Sequence, residues 1–502
     1  MKKSVLIGST ALVFLMSGAA AFADVTPEEV WENWKATATQ GGTTITTQSE
    51  ERDGDSLVIT GVSMASSADP AAVSEGTIDE IVLTDLGDGT VEITQSESYS
   101  MVVTTPAMDG VEPPVAQTIT VSVTAPGAST IVSGTVDAMS YDFTLPSLEA
   151  SVVSAADAPD PVDVKVSAVN AVGSYLVEGT EPLTISGTFG ADSMAVAIKG
   201  KDAAATTDVD MTAAIGAIET TFDAVILDQA KMEDVGAAIA EGFGFHFDTS
   251  YGATSFTLNV VEAGAPTAIS GGLDSGSAKF GMDSTAFTYQ TGSTGLNVTV
   301  SGADIPFPEV KLAIGESGFG LSMPTTPSDE AADFSFLAKI VDLSISDEIW
   351  GMLDPGAALP HDPASVIIDG KGTAKVTANI FAQDMMETGA PPGELLSFDL
   401  TQLLAKVAGA ELTGTGAFTF DNTDLTTFSG MPAPTGKIDL KVTGANTLMD
   451  SLIAMGMMTQ EDAMGARMML SMFANPGAGA DEFNSVLEFK DKGFFANGQR
   501  LQ

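Results

Sequence analysis

The feature that most constrains the fold is an alternation of apolar and polar residues with a period of two. In "GFGLSMP", Phe319, Leu321 and Met323 fall on the same side of an extended chain. The same alternation recurs in "ITVSVT", "SFTLNVV", "GLNVTVSG", "EVKLAIG" and "GKIDLKVTG". Each segment therefore predicts a β-strand with one apolar and one polar face, as in antiparallel sheets covered on one side.

The spacing of these strands predicts their connections. Between residues 253 and 323 a strand recurs about every 10–15 residues, separated by Gly, Asp and Pro, which indicates an antiparallel meander. The period of ~30 residues that marks βαβ units does not appear, which argues against a doubly wound nucleotide-binding fold. We find no exact internal repeat. We expect a mainly β (α+β) fold, with long curved antiparallel sheets that form a groove or a sandwich.

A short amphipathic helix is expected near residues 26–40. Thr26 suits the N-cap, Pro27 the first helical position, and Glu29 completes a capping box. Val30 and Trp34 lie four residues apart and share a helical face. We expect this helix to pack its tryptophan onto the body of the fold.

Further helices are expected near residues 230–240, 346–353 and 445–473. Within the last segment, Gly456 is a candidate C-cap and Thr459 a candidate N-cap, so a helical pair is predicted. A final hairpin is expected to follow, with its turn at Asp491-Lys492-Gly493.

The N-terminus has the pattern of a cleaved signal peptide. Two lysines precede an apolar run from residue 5 to 16, and Ala21-Phe22-Ala23 is a small-x-small cleavage site. We expect residues 1–23 to be removed on export to the periplasm, with no transmembrane segment in the mature chain. The mature chain is divided into a β-rich region (24–325) that begins with the short helix and an α+β region (326–502).

The composition limits the possible partners. The chain has 67 acidic residues but only 20 Lys and Arg, which gives a formal charge of −47. Nucleic acid is excluded as a partner, because nothing could neutralise its phosphates, and an anionic membrane surface is disfavoured. Cysteine is absent, so the exported chain has no disulfides.

Catalytic and metal-binding patterns are weak. A Ser-His-Asp triad could use only His246 or His361. His246 alternates with phenylalanines, which indicates the polar face of a strand. His361 lies among the prolines of "DEIWGMLDPGAALPHDPASVIIDG", which we interpret as a short helix and a turn. Asp421 and Asp424 form a surface turn rather than a complete calcium loop. We therefore predict no catalytic residues, no cofactor and no bound metal.

The methionines suggest an apolar binding surface. Eight of the 23 lie between residues 449 and 472. Thioethers can ligate Cu(I), but no histidine lies nearby, and an adaptable apolar surface is the simpler interpretation. Ordinary core packing is the alternative. The residues predicted to line an apolar-ligand site are Leu452, Met455, Met464, Met468 and Met472.

Several segments resemble one bacterial family. "VWENWK", "LSISDEIWGMLDPGAALPHDPASVIIDG", "AGAELTGTGAFTFDNTDLTTFSGMPAPTGKIDLKVTGANTLMDSL" and "ANGQRLQ" are similar to the alphaproteobacterial domain of unknown function 2125 (DUF2125). The resemblance covers essentially the whole mature chain and is most specific from about residue 320. The family has no established catalytic residues, so the resemblance assigns none to this chain. The family is in turn distantly similar to AsmA-like envelope proteins, which implies a β-rich groove associated with lipid movement or outer-membrane homeostasis.

The expected function follows from the one-sided strands. We expect a non-enzymatic periplasmic protein of the cell envelope that binds or shields a lipid or other apolar ligand in a groove. The mean hydropathy of +0.21 means that much apolar surface must be covered, either in a core or by a ligand. The alternatives are a periplasmic hydrolase with dispersed carboxylates and a purely structural or partner-binding envelope protein.

Overall fold

The structure, a computed structural model, is dominated by β-strands. It describes residues 24–40, 43–69, 72–105, 117–152, 162–202, 207–228, 231–381 and 392–502. Strands account for 65% and helices for 12%, which confirms the mainly β prediction. The predicted signal peptide, residues 1–23, lies outside the described residues.

Five short α-helices accompany the sheet in the described parts of the chain. They are α1 (Pro27–Gln40), α2 (Val235–Ala240), α3 (Asp347–Leu353), α4 (Ala445–Ala454) and α5 (Gln460–Phe473). A 3₁₀ turn, Lys231–Glu233, precedes α2. All four predicted helical regions are confirmed. Within the ranges described, no helix has the length and apolar character needed to cross a bilayer.

The strands form a single sheet, in which all the pairings are antiparallel. The first strands are β1 (Thr43–Thr46), β2 (Ser49–Asp53), β3 (Ser56–Asp69), β4 (Ala72–Asp85), β5 (Val91–Gln95), β6 (Ser98–Thr105), β7 (Gln117–Thr124), β8 (Ser129–Thr135), β9 (Ala138–Val152), β10 (Val162–Glu178), β11 (Leu183–Asp202), β12 (Thr207–Ile226), β13 (Gly244–Tyr251) and β14 (Thr254–Glu262). The remaining strands are β15 (Ala265–Leu273), β16 (Ser275–Met282), β17 (Ala286–Gly302), β18 (Val310–Pro324), β19 (Ala332–Ile345), β20 (Ala364–Val376), β21 (Gly393–Val407), β22 (Ala410–Asp421), β23 (Ala433–Thr443), β24 (Asn475–Pro476), β25 (Glu482–Lys490), β26 (Gly493–Ala496) and β27 (Gln499–Arg500). The final hairpin, β25–β26, is confirmed. The ladder continues across residue 325, where β18 pairs with β19; the division of the chain at that residue stays a prediction.

The predicted meander between 253 and 323 is only partly right. The consecutive strands β14–β15, β16–β17 and β17–β18 pair as predicted, but β15 and β16 do not pair with each other. β12 has 20 residues, whereas β13 and β14 have 8 and 9 and lie end to end along it. β13 then pairs with β16 and β14 with β15, so one hairpin is nested beside the other. β17 in turn pairs with both β16 and β15. Strand spacing could not reveal this, because it does not show that two short strands share one long partner.

The same nested arrangement occurs earlier in the chain. β4 pairs with both β5 and β6, β5 pairs with β8, β6 pairs with β7, and β9 pairs with both β8 and β7. The segments β4–β9 and β12–β17 are therefore two copies of one topological unit: a long strand, four short strands in two nested pairs, and a second long strand. We call this the nested unit. The two copies of the nested unit share a topology but no exact sequence repeat.

The sheet has an apolar face with a continuous row of side chains across it. Residues directly opposite in a ladder share a face, so successive pairings trace the row from strand to strand. This central apolar row consists of Val91, Val132, Tyr141, Tyr175, Gly187, Phe222, Phe247, Phe280, Tyr289, Leu321, Phe336, Gly370, Leu400, Gly416, Ile438, Leu487 and Ala496. At about 4.8 Å between strands, it runs for roughly 75 Å along the sheet.

A second apolar row lies beside the first on the same face. It includes Met139, Val177, Ile185, Ala224, Phe245, Met282, Phe287 and Met323, and then Phe334, Gly372, Phe398, Phe418, Gly436, Phe489 and Phe494. The opposite, polar face carries a matching row that includes Ser186, Asp223, His246, Thr288, Ser322, Ser335, Lys371, Asp399, Lys437 and Glu488. The predicted separation into one apolar and one polar face is confirmed.

The fully buried core lies at the N-terminal end of this sheet, under α1. Thr26 and Glu29 form the predicted capping box: the Glu29 carboxylate accepts from the Thr26 N–H at 3.0 Å. The helix then buries Val30 and Trp31 against the first strands, with Trp31 only 1% exposed. The prediction named Trp34 as the packing residue, which is only partly right. Trp34 packs at the margin of the core, because Trp31 follows Val30 directly on the side that faces the sheet.

Candidate functional site: an open apolar face

The apolar face is exposed over its middle part. From β13 to β23, no large side chain of the central or second apolar row is fully buried. Seven large apolar residues on this face are exposed by more than a third: Phe245, Tyr289, Phe319, Ile340, Val366, Ile368 and Val407. Phe319 and Ile368 both oppose Ala338, and Ile340 opposes Val366, so the exposed residues of β18, β19 and β20 are contiguous. We call β13–β23 on this side the open apolar face.

Aromatic rings contact one another across the strands of this face. Phe280 stacks on Phe247 with ring centroids 5.8 Å apart and meets Phe287 edge-on at 5.7 Å. Farther along, Phe319 lies edge-on to Phe336 at 5.8 Å and 6.0 Å from Tyr289. The rings therefore form two clusters, and the ladder pair Phe280 and Tyr289 brings one cluster beside the other. Because the apolar rows continue from strand to strand past both clusters, this face suits an elongated apolar ligand.

Glycines on β20 let the neighbouring rings lie flat on the sheet. A Cβ on Gly372 would be 2.7 Å from the Phe334 ring, and one on Gly370 would be 2.7 Å from the ring of Phe398. The rings from β19 and β21 thus occupy the space above β20 that side chains would need. Larger residues at either glycine would push the rings away.

The border and the C-terminal end of the open apolar face are held by other segments. Along one border, Phe381 meets Phe287 at 6.0 Å, and the Asn379 side-chain amide donates to the Gly236 carbonyl of α2 at 2.8 Å. At the C-terminal end, the Phe473 carbonyl of α5 accepts from the Ser485 hydroxyl at 2.5 Å. Phe428 also lies 5.6 Å from Phe489. Among the described residues, other segments thus cover one border and the C-terminal end of this face, and its middle stays accessible.

The electrostatics of the two faces differ. The central and second apolar rows contain no Asp, Glu, Lys, Arg or His. On the polar face, basic residues pair with acids: Lys279 lies 3.3 Å from Asp248, and Lys437 lies 2.9 Å from Asp439. The open apolar face can therefore contact hydrocarbon, whereas its two rows offer nothing to a charged head group.

The residues predicted to line an apolar-ligand site lie on the C-terminal helices instead. Leu452 lies on α4, and Met455 directly follows the end of that helix; both are half-buried. Met464, Met468 and Met472 on α5 are 67%, 70% and 56% exposed. The structure thus brings the three α5 methionines to one outward surface and separates them from the rows of the sheet. Their role in ligand binding stays a prediction.

His246 lies between two carboxylates on the polar face, as its alternation predicted. Its Nδ1 is 2.8 Å from an Asp223 oxygen, and its Nε2 is 3.4 Å from an Asp283 oxygen. Burial raises the pKa of Asp283, but hydrogen bonds from Thr285 and Ala286 outweigh this effect and lower it. Sequence reasoning missed both carboxylates, because each belongs to a different strand or turn.

The segment around His361 forms a fixed turn after α3. Asp354 is 3% exposed and accepts hydrogen bonds from the N–H groups of Ala358 at 2.9 Å and Leu359 at 2.7 Å. These two bonds, in that order, lower the pKa of Asp354 below its ordinary value. The His361 ring stacks on Trp350 with centroids 4.2 Å apart. These contacts give the segment the role of a turn, as the sequence predicted.

Asp421 and Asp424 also form a turn. Asp421 accepts from the Thr423 N–H at 2.9 Å, and Asp424 accepts from the Lys492 ammonium at 2.8 Å and from the Thr427 hydroxyl at 2.7 Å. The Lys492 contact is the main cause of the lowered pKa of Asp424. Across the residues that the structure covers, no group of three or more His, Asp or Glu is arranged to hold a metal ion.

The part of the chain that forms the open apolar face matches a known protein family. The model of a family described as "Uncharacterized protein conserved in bacteria (DUF2125)" matches residues 240–496, which include every strand from β13 to β26. The chain belongs to this family. No curated protein matches the chain. The DUF2125 resemblance seen in the sequence is thereby confirmed, while the distant similarity to AsmA-like proteins stays a prediction.

Proposed function

We propose that this DUF2125 protein is a non-enzymatic protein of the cell envelope that binds lipid acyl chains on its open apolar face. The observation that carries the proposal is the pair of apolar rows that cross β13–β23 without full burial of a large side chain. Monomeric proteins rarely expose a contiguous apolar surface of more than a few hundred Å² unless it binds something. The pattern of residues 1–23 supports export to the periplasm as the setting.

The binding free energy is expected to come from the acyl chains of a lipid rather than from its head group. Each CH₂ removed from water contributes about 0.8 kcal/mol, so one acyl chain along the aromatic surface could supply most of the binding free energy. The absence of charged residues from the two rows fits a ligand that binds by its hydrocarbon part. The strong deficit of Lys and Arg, 20 against 67 acids, is consistent with this mode of binding.

The proposal is tested by titrating the delipidated mature chain with a fluorescent fatty acid. We expect saturable binding, and we expect Ile340→Asp to weaken it by about tenfold or more, because a carboxylate would sit among the exposed residues of β19 and β20. Ile340 is 41% exposed, so the substitution should change the melting temperature little.

The matched control is Val172→Asp. Val172 is 49% exposed, but it opposes Gly190, whose other partner, Glu219, belongs to the polar face. This variant should bind the probe like the parent protein. Absence of saturable binding, or equal losses in the two variants, would refute the acyl-chain proposal and favour a structural or partner-binding role.

A further inference from the structure

The helical pair α4–α5 carries a second apolar surface, separate from the sheet. Met464, Met468 and Met472 are spaced by four residues and so share one face of α5. Met457, in the turn before α5, and Met469 are also exposed, by 67% and 59%. We call these five residues the methionine face. Between residues 464 and 472 its side of the helix contains only Met, Gly and Ser, so it carries no charge.

The methionine face is held outward by a well-anchored helix. The Thr459 side chain and Asp462 form a reciprocal capping box that fixes the start of α5. Arg467 donates to Asp450 of α4 at 2.6 Å and to Asn446 at 3.0 Å. On the inner side, Ala463 is completely buried. The inner side of α5 therefore packs against the rest of the protein, and the exposed methionines lie on its outer side.

Charge around the methionine face is negative. Glu461 and Asp462 lie in the first turn of α5, and Asp450 is 68% exposed on α4. Arg467, the basic residue of the pair, is bonded to Asp450 and neutralises it, so the net negative charge of the margin comes from Glu461 and Asp462. The whole chain carries a formal charge of −47. An occupant of this face therefore meets an uncharged apolar centre with an acidic margin.

We propose that the methionine face is a docking surface for a partner protein, through an amphipathic segment whose apolar side chains are flanked by Lys or Arg. Basic groups complement the acidic margin, whereas a second copy of this chain would bring the same acids and the same net charge. Flexible thioether side chains adapt to the apolar face of a helix, which is a recurring use of methionine-rich surfaces. The proposal does not depend on acyl-chain binding by the sheet.

The test uses a labelled synthetic peptide of Leu and Lys at helical spacing, titrated against the full mature chain. Replacement of Met464, Met468 and Met472 together by Ser should weaken binding by about tenfold or more, because the apolar anchors are lost while every charge is kept. Met468→Leu should retain the affinity. A matched peptide of Leu and Glu should not bind.

Controls separate this surface from other exposed methionines and from the sheet. Met352→Ser, on α3, and Met431→Ser alter methionines that are 58% and 65% exposed elsewhere, and should leave peptide affinity unchanged. Ile340→Asp should also leave it unchanged, which makes failure here distinguishable from failure of acyl-chain binding. Equal affinity of the triple variant and the parent would overturn the proposal, since attraction would then be purely electrostatic. Loss of binding to phosphatidylcholine vesicles in the triple variant, with peptide binding intact, would assign the face to a membrane instead.

Discussion

Asp354 illustrates how a single carboxylate fixes a connection that contains three prolines. Its two oxygens accept from consecutive N–H groups, those of Ala358 and Leu359, and so order the chain between α3 and β20. Trp350 and His361 then stack above this turn. These hydrogen bonds and the ring stack thus account for the conformation of the segment.

Asp354→Asn is expected to lower the melting temperature at pH 7, because a charged acceptor of two backbone hydrogen bonds is replaced by a neutral one. The pKa of Asp354 is lowered in the folded protein, so its contribution is present above the ordinary value of 3.8 and is lost as the pH falls through the lowered pKa. Melting curves of both proteins from pH 7 to pH 2 should therefore converge below about pH 3.8. Asp304→Asn, at an exposed position, is the control. A difference that is constant over the whole range would contradict this account.

Among the helices, α1 contributes most to the buried core. Trp31 is 1% exposed and belongs to the same cluster as Ile59 and Leu83. Trp31→Ala should lower the free energy of unfolding by about 3–5 kcal/mol, as expected for a large aromatic residue removed from a core.

Trp34→Ala is the matched comparison and should cost clearly less, since Trp34 packs only at the margin. Urea denaturation followed by circular dichroism measures both. Similar losses for the two tryptophans would show that the helix is anchored by its whole face rather than by Trp31.

The sequence predicted the elements better than their partners. The alternation of Phe319, Leu321 and Met323 identified both the strand and its apolar face, because that periodicity is local. The pairing of β13 with β16 was missed, since it depends on the length of β12 relative to its neighbours. For the candidate site, the sequence predicted an apolar groove but named residues on α4 and α5. Methionine density is visible in a sequence, whereas a row assembled from one residue in each strand is not.

For the whole molecule, burial is distributed unevenly along the sheet. The main buried cluster joins α1 with strands between β3 and β11, whereas the rows over β13–β23 are only partly covered. Native-state amide exchange should therefore be slowest in β3, β4 and β9 and faster in β17–β20, because local opening there exposes less additional apolar surface. Uniform protection across all of these strands would contradict this expectation. Saturation with the fluorescent fatty acid should slow exchange in β17–β20 selectively if the acyl-chain proposal is correct.

The nested unit has a consequence for how a protein of this type can change in length. Two strand positions separate β4 from β9, and likewise β12 from β17, so the long strands of each unit run antiparallel to each other. Without the four short strands, the two long strands could pair directly as an antiparallel hairpin. All the other strands of the sheet would then keep their present directions. Gain or loss of one such insert therefore alters the reach of the sheet by about 10 Å while every remaining connection is preserved. The length of the sheet can therefore change in steps of two strand positions, and such a change does not require the residues on its two faces to change.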